Sequence, residues 1–211
     1  MAKAPRLSAK QLSLLGRLKR IPALRDFYLA GGSAVGWHYG HRRSMDLDLF
    51  SPSSPVALSR IVEQLVAAGA TVRAETDAVV SVDLDGVLVD VVQYPYGPLK
   101  PTEPGPADFR IAAPLDLAVM KLAAIARRGL RRDFWALHVI LTRGKFSLEA
   151  VMKAYVKRYR RAAADLYHVA RALAYFEDAE RDDPRVSGLT REEWETIKRY
   201  FERETARLVL K

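Results

Sequence analysis

The order of apolar and polar residues divides the chain into two parts with different periods. Between residues 27 and 92, short apolar runs alternate with polar positions every second residue, which is the period of a half-buried β-strand. Two such runs, VVSVDL and VLVDVVQY, are joined by Asp85-Gly86, a pair typical of a β-hairpin with a type I′ turn. Later apolar residues recur every three or four positions. We therefore predict an N-terminal α/β part (residues 1–110) and a helical C-terminal part (residues 111–211).

Smaller signals predict the other elements. Ser8 and Gln11 form a capping box, in which each side chain bonds the backbone N–H of the other residue. Gly40 and Gly69 are typical of helix ends. In the N-terminal part we predict helices over 9–20 and 33–39 and from Ser54-Pro55 to Gly69, and strands over 27–30 and 45–50. In the C-terminal part we predict helices over 113–129, 131–144, 147–159, 161–180 and 190–209, with a break at 182–188. The proline-rich stretch 97–108 predicts an ordered loop or a domain junction.

Two carboxylates stand out in the segment YLAGGSAVGWHYGHRRSMDLDLF, residues 28–50. Asp46 and Asp48 alternate with apolar residues in a predicted strand, so their side chains should project side by side from one face. Two anions at that spacing repel each other unless a cation or a proton lies between them. We therefore expect a compensating positive charge.

The glycine pair just before these carboxylates suggests what that charge is. Gly31-Gly32-Ser33 ends a strand and opens a helix, where backbone N–H groups can hold a phosphate. A cation that bridges two carboxylates and a phosphate is the usual form of a magnesium site. Asp90 interrupts an apolar row on the second hairpin strand, and could orient or deprotonate an attacking hydroxyl or complete a two-metal site.

Each of these signals has a simpler interpretation. Most Gly-Gly-Ser turns are only turns, and an isolated Asp-x-Asp pair often lies on an exposed strand face. Asp90 by itself could be a solvated edge residue. The joint order and spacing, with apolar neighbours on both sides of the aspartates, favours the metal and phosphate interpretation.

The charge and composition narrow the class of partner. The 211 residues include 34 Lys and Arg against 25 Asp and Glu, a net charge of +9, which suits a polyanion such as nucleic acid or serves solubility alone. The chain has no cysteine, which excludes disulfides and thiolate metal sites. It has neither an apolar signal core nor a run of 18 apolar residues, so we expect a cytoplasmic protein with no membrane partner.

The segment LAGGSAVGWHYGHRRSMDLDLF resembles the signature of the AbiEii/AbiGii nucleotidyltransferase toxins, including MenT-type toxins, in the polymerase-β-like superfamily. A second segment, PLDLAVMKLAAIARRGLRRDFWAL at residues 114–137, resembles the family's helical motif. The resemblance spans roughly residues 25–140. It implies an α+β fold, in which a polymerase-β-like domain with a mixed sheet flanked by helices precedes a C-terminal helical bundle.

The resemblance also implies a reaction: a nucleoside monophosphate is transferred from an NTP, pyrophosphate is released, and Mg²⁺ or Mn²⁺ is bound by Asp46 and Asp48. Lys121 would neutralise triphosphate charge, and Asp133 would complete the site from the following helix. The implied catalytic residues are Asp46, Asp48, Asp90, Lys121 and Asp133. The residues expected to bind the nucleotide are Gly31, Gly32, Ser33, Arg43, Ser44 and Arg128.

One departure from the family pattern concerns position 136. Family members often have an aspartate three residues after the Arg-Asp pair, and this chain has Ala136. If that carboxylate serves substrate or metal placement, activity would be weaker, altered or lost.

Two basic segments are candidate phosphate or RNA contacts. The first surrounds the link between two predicted helices and comprises Lys121, Arg127, Arg128, Arg131 and Arg132. The second, KAYVKRYRR at residues 153–161, interleaves tyrosines with cations, as RNA-binding surfaces do. For both segments a solvated or inward-packing basic helix is the simpler alternative.

Three functions remain open on the sequence. The favoured one is a toxin that adds nucleotides to RNA, at tRNA 3′ ends, and so blocks translation, with an antitoxin encoded nearby. The second is a nucleotidyltransferase that modifies a small molecule or a protein hydroxyl. The third is a catalytically silent relative that binds nucleic acid.

Overall fold

The structure is a computed structural model that describes residues 7–52, 56–161, 165–182 and 188–209. It consists of two compact units, Met1–Ala113 and Pro114–Lys211. The first unit contains helices and a sheet, and the described part of the second is helical. The prediction of an α+β fold is confirmed.

The sheet of the first unit has seven strands: β1 (Tyr28–Leu29), β2 (Leu47–Phe50), β3 (Thr71–Glu75), β4 (Val79–Leu84), β5 (Val87–Val92), β6 (Glu103–Pro104) and β7 (Arg110–Ile111). Their order across the sheet is β3-β4-β5-β2-β1-β7-β6. β2 runs parallel to β5, and β1 runs parallel to β7, whereas the other neighbouring pairs are antiparallel. The sheet is therefore mixed.

Among the described residues, three α-helices belong to the first unit: α1 (Ala9–Leu18), α2 (Gly31–Tyr39) and α3 (Leu58–Ala67). Alternation along the central strands separates two faces of the sheet. In β2, Leu47 and Leu49 are fully buried, whereas Asp48 and Phe50 are half-buried. The same alternation in β4 and β5 buries valines on one face, and buried leucines of α1 and α3 complete the core. Asp48 on β2 and Asp90 on β5 thus lie on the more open face.

Several local predictions for the first unit are confirmed. Ser8 N–H donates to Gln11 Oε1 at 2.9 Å and Gln11 N–H donates to Ser8 Oγ at 3.1 Å, so α1 begins with the predicted capping box. The hairpin pairs β4 with β5, and both turn residues, Asp85 and Gly86, have positive φ as a type I′ turn requires. Gly40 ends α2 at φ 59°.

Other boundaries differ from the prediction. The strand predicted from residue 45 begins at Leu47, so Asp46 lies in the bend before it. β3 was not predicted, because all five of its residues are exposed and show no alternation of burial. β6 and β7 have two residues each, too short for a periodic signal. The predicted helix start at Ser54-Pro55 lies outside the described residues.

The helices of the second unit are α4 (Pro114–Arg128), α5 (Arg131–Gly144), α6 (Leu148–Tyr159), α7 (Asp165–Leu173), α8 (Glu177–Arg181) and α9 (Arg191–Val209). Helix α4 packs against α5, α6 and α7. Phe134 lies at the centre of an aromatic core, with its ring 5.3 to 5.8 Å from those of Phe176, Trp194 and Phe201.

The single helix predicted over 161–180 is wrong. After α7, tight backbone bonds from Ala174 to Arg171 and from Tyr175 to Ala172 end the helix, and Phe176 turns into the aromatic core before α8 begins. The predicted helix over 190–209 is confirmed, and Thr190 and Glu193 form its capping box. Most of the predicted break at 182–188 lies outside the described residues. Among the described helices, none is both long and apolar enough to cross a membrane.

Candidate active site

The glycine pair at the start of α2 is packed directly against Asp48. Gly31 has φ 59°, the left-handed conformation that favours glycine. A Cβ added to Gly31 would overlap the Asp48 carboxylate and lie 2.9 Å from Asp48 Cβ. One on Gly32 would lie 2.7 Å from Ser44 Oγ and 3.0 Å from Arg42 Nη2. Only glycines allow α2 to begin this close to these side chains.

Two serines connect the glycine turn to Asp46. Ser33 Oγ donates to the backbone oxygen of Asp46, and Ser44 Oγ donates to Asp46 Oδ1 at 2.5 Å. Both serines are buried, and Gln11 Nε2 donates to the Ser44 backbone oxygen at 3.0 Å. Asp46 Oδ2 has no hydrogen-bond partner among the described residues. Ser44 therefore orients Asp46 and leaves one carboxylate oxygen available.

Asp90 lies beside Asp48 because their strands are parallel neighbours. In the β2–β5 pair, Asp48 is in register with Asp90, and both are half-buried on the same face. Ser81, the partner of Asp90 on β4, donates its hydroxyl to Asp90 Oδ1 at 2.5 Å. The first unit thus places Asp90 beside Asp48, while Asp46 lies two residues before Asp48 in the bend that precedes β2.

The two arginines before Ser44 have different positions. Arg42 Nη2 lies near Gly32, and its Nη1 donates to the Arg43 backbone oxygen at 3.3 Å. The predicted nucleotide-binding residue Arg43 is exposed, and the described residues give its guanidinium no partner. We did not single out Arg42 from the sequence. The adjacent arginines in GHRRS indicate a cationic residue near the glycine turn, but only the fold shows that Arg42, and not Arg43, lies beside Gly32.

The helical unit contains a cluster around Asp133, which is fully buried in the first turn of α5. Lys121 Nζ donates to its Oδ1 at 2.9 Å, while Arg128 Nε donates to Oδ2 at 2.9 Å and Arg128 Nη2 to Oδ1 at 3.2 Å. Burial by itself would raise the pKa of Asp133. The adjacent Lys121 and Arg128 charges outweigh burial and hold that pKa below its ordinary value. Three predicted site residues, Lys121, Arg128 and Asp133, thus form one ion-pair network.

The family model of the AbiEii toxin nucleotidyl transferases, which act in type IV toxin–antitoxin systems, matches residues 13–207. The chain belongs to this family. The AbiEii chain is also 30% identical over 203 residues to the uncharacterized protein aq_aa25 of Aquifex aeolicus (strain VF5), covering 94% of this chain and 95% of that protein. The predicted family is confirmed, and the activity class is nucleotidyl transfer.

Solved structures agree on the fold of the AbiEii chain. The solution structure of the antibiotic-resistance factor ANT(2'')-Ia covers 75% of this chain and 96% of its own, with a TM-score of 0.56 and 15% identity. The crystal structure of ANT(2'')-Ia in complex with adenylyl-2''-tobramycin has a TM-score of 0.53 and 14% identity, and it covers 72% and 99% of the two chains. At these identities the similarity establishes the nucleotidyltransferase fold alone.

The carboxylates of the AbiEii chain suit a metal that is held partly by substrate. Within the described part of the chain, no group of three His, Cys, Asp or Glu side chains is arranged to hold a metal ion. Mg²⁺ seldom needs such a cage, because it commonly takes one or two carboxylates and completes its shell with phosphate oxygens and water. Asp46 and Asp48, beside the first turn of α2, fit this type of site.

Two further positions singled out in the sequence, Arg131 and Ala136, contribute to packing within the helical unit. Arg131 Nε donates to the Ala179 backbone oxygen at 2.8 Å, and its guanidinium lies 5.2 Å from the Trp194 ring centroid, so this arginine supports packing. Ala136, the position noted above as a departure from the expected motif, is 1% exposed. A carboxylate there would be buried, so in this chain alanine suits the core.

Proposed function

We propose that this AbiEii-family enzyme transfers a nucleoside monophosphate from an NTP to the 3′ end of a tRNA, with Mg²⁺ or Mn²⁺ as cofactor, and thereby blocks translation in the cytoplasm. The observation that carries the proposal is the close packing of the Gly31-Gly32 turn against Asp48 and Ser44. This packing places the start of a helix, which can bind an anion, next to a carboxylate that can bind a cation.

In this proposal the triphosphate binds at the start of α2. The first turn of α2 has no side-chain cap, so its N–H groups can donate to phosphate oxygens. The Arg42 guanidinium beside Gly32 adds a cation to that cradle. A divalent cation on Asp46 and Asp48 would offset the negative charge of the phosphates. Ser44 holds one carboxylate oxygen of Asp46 in place by a hydrogen bond.

The third carboxylate is the proposed general base. Asp90 takes the proton from the 3′-hydroxyl of the acceptor. At the same time the hydroxyl oxygen bonds to the α-phosphorus, and the bond between that phosphorus and the departing pyrophosphate breaks. Ser81 donates to Asp90 Oδ1, so Oδ2 is the oxygen proposed to accept this proton. The catalytic roles of Lys121 and Asp133 stay predictions from the resemblance.

The preference for RNA rests on charge and on one exposed surface. The net charge is +9, and the end of α6 presents Lys157 and the following Arg160 and Arg161, all exposed. Half-buried Tyr155 and Tyr159 accompany them, with ring centroids 4.8 Å apart. Arg158, in the same segment, is excluded from RNA contact, because it is buried in an ion pair with Asp116 at 2.7 Å.

The direct test is transfer of label. The protein is incubated with each α-labelled NTP, Mg²⁺ or Mn²⁺, and total tRNA, and parallel reactions contain EDTA. We expect label at tRNA 3′ ends, loss of transfer in EDTA and in Asp48→Asn, and retention in Asp26→Asn, a matched charge change at an exposed position of the same unit. Label on a small molecule or a protein would refute the choice of acceptor, and binding without transfer would indicate a silent relative.

The toxin role has a separate cellular test. Expression should arrest growth and lower incorporation of labelled amino acids, and Asp46→Ala or Asp48→Ala should abolish both effects. Co-expression of the product of the neighbouring gene should restore growth if that product is the antitoxin. Arrest that persists in both aspartate variants would show that the toxicity does not come from nucleotidyl transfer.

A further inference from the structure

We propose that an aromatic row on the open face of the sheet, formed by Phe50, Tyr94 and Tyr96, stacks the terminal base of the acceptor RNA. The inference rests on the proposed function and deepens it, because it names the part of the first unit that receives the acceptor strand. It follows from the order of groups along β2 and from the packing of the three rings.

The three rings form a continuous row in the first unit. The Phe50 and Tyr94 centroids are 5.1 Å apart with an interplanar angle of 79°, and those of Tyr94 and Tyr96 are 5.5 Å apart at 71°. Tyr28, the register partner of Phe50 on β1, is 1% exposed, and its ring centroid lies 6.3 Å from that of Phe50. Unlike Tyr28, the three rings of the row are only half-buried. Each of these residues therefore keeps part of its surface accessible to solvent.

The backbone that carries the row is held in place. Ser51, fully buried after Phe50, accepts a hydrogen bond from Tyr94 N–H at 2.8 Å on its Oγ. Its own N–H donates to the Val92 backbone oxygen at 3.0 Å. Phe50 and Val92 are register partners of the parallel β2–β5 pair. A ring platform fixed in this way loses little conformational entropy when a base stacks on it.

The position of the row relative to the phosphate cradle indicates its ligand. The cradle lies beside Asp48 and the residues before it, since Gly32 packs on Ser44 and Ser33 bonds the Asp46 backbone. Phe50 comes two residues after Asp48 on the same face, about 7 Å further along the strand. Along β2, Asp48 therefore lies between the cradle and the aromatic row.

The geometry of phosphoryl transfer then assigns the row to the acceptor. The attacking and leaving oxygens lie roughly in line on opposite sides of the phosphorus. If the cradle holds the departing pyrophosphate, the attacking 3′-hydroxyl arrives from the side of the row. Stacking suits a single-stranded RNA end, because every base has a π-face and unpaired bases can be placed against aromatic rings.

The test measures binding of a short fluorescent RNA whose 3′-terminal nucleotide carries either a base or an abasic ribose. Without NTP, we expect the wild-type protein to bind the base-bearing RNA about 5- to 150-fold more tightly, the range of one base–aromatic stack. Tyr94→Leu and Tyr96→Leu should reduce or remove this difference, whereas Tyr94→Phe should retain it. Tyr167→Leu is the matched control, because Tyr167 is an exposed tyrosine (69%) in the other unit. Circular dichroism and urea midpoints verify that each variant is folded.

The outcomes separate this inference from the proposed function. If the wild-type protein labels tRNA but binds the two RNAs equally, the inference fails and the proposed function stands. If the variants raise KM for the NTP and leave the base preference intact, the row binds the NTP base and the inference is overturned. If the wild-type protein transfers no label to RNA, the proposed function itself fails.

Discussion

Gly31→Ala tests whether the Gly-Gly turn holds Asp48 as the structure describes. Gly31 is required for two separable reasons, its left-handed backbone at φ 59° and the carboxylate that lies against its Cα. Gly129 offers a matched control. It has φ 57°, and a Cβ there would make only ordinary contacts, at 3.7 Å, with Asp178 Cβ and the Ile125 oxygen. Gly129→Ala therefore introduces the same backbone strain without the overlap.

The expected magnitudes follow from these two contributions. Placing alanine in the left-handed region costs about 1–2 kcal/mol, which is the whole expected loss of stability for Gly129→Ala. Gly31→Ala must also displace the Asp48 carboxylate from its position, and overpacking of this kind costs about 1–3 kcal/mol more. We therefore expect Gly31→Ala to lower the free energy of unfolding by about 2–5 kcal/mol.

Urea unfolding of the variants, followed by circular dichroism, measures these free energies. The double variant Gly31→Ala/Asp48→Ala completes a thermodynamic cycle, because it removes the oxygens that the new methyl group would meet. It should be more stable than the sum of the two single changes implies, by about 1–2 kcal/mol. Equal losses for Gly31→Ala and Gly129→Ala, together with additive behaviour in the cycle, would show that Asp48 does not lie against Gly31.

Three further changes test the ion pairs and the carboxylate positions. Asp133→Ala should destabilise the protein by about 3–5 kcal/mol because it leaves Lys121 buried and unpaired. The pKa of Asp133 is lowered in the folded state, so its stabilising contribution is complete above the ordinary pKa of 3.8 and is lost as the pH falls through the lowered pKa. When the free energy of unfolding is measured against pH, the difference between Asp133→Ala and the wild type should therefore shrink only below about pH 4. Arg158→Met alone should lower the free energy of unfolding by about 3–5 kcal/mol, because it leaves Asp116 buried and without its ion-pair partner. The double variant Arg158→Met/Asp116→Leu should be neutral or stabilising in the same urea assay. Equal losses of stability in the single and double variants would contradict a buried ion pair. Ser81→Ala should lower the transfer rate about tenfold and leave the KM for the NTP unchanged, because it removes one charge-assisted hydrogen bond to Asp90, the proposed base. An unchanged pH–rate profile in this variant would argue against a positioning role for Ser81.

Local signals predicted the elements whose formation depends on neighbouring residues. The Ser8–Gln11 capping box and the Asp85-Gly86 turn both formed as expected, because cap and turn geometry is decided within four residues. β3 shows the limit of this reasoning. Its five residues are exposed, so its place in the sheet comes from pairing with β4 and not from a periodic pattern of its own.

The sequence by itself determined the family, the α+β class and which residue types are available for chemistry, because motifs, caps and periods are local properties. Only the tertiary structure decided that Asp90 is the neighbour of Asp48, that Ser81 bonds Asp90, and that Lys121 is paired with Asp133. The physical reason is that strand order and side-chain pairing depend on residues distant in the chain. They are selected by the free energy of the whole core, which no short stretch of sequence contains.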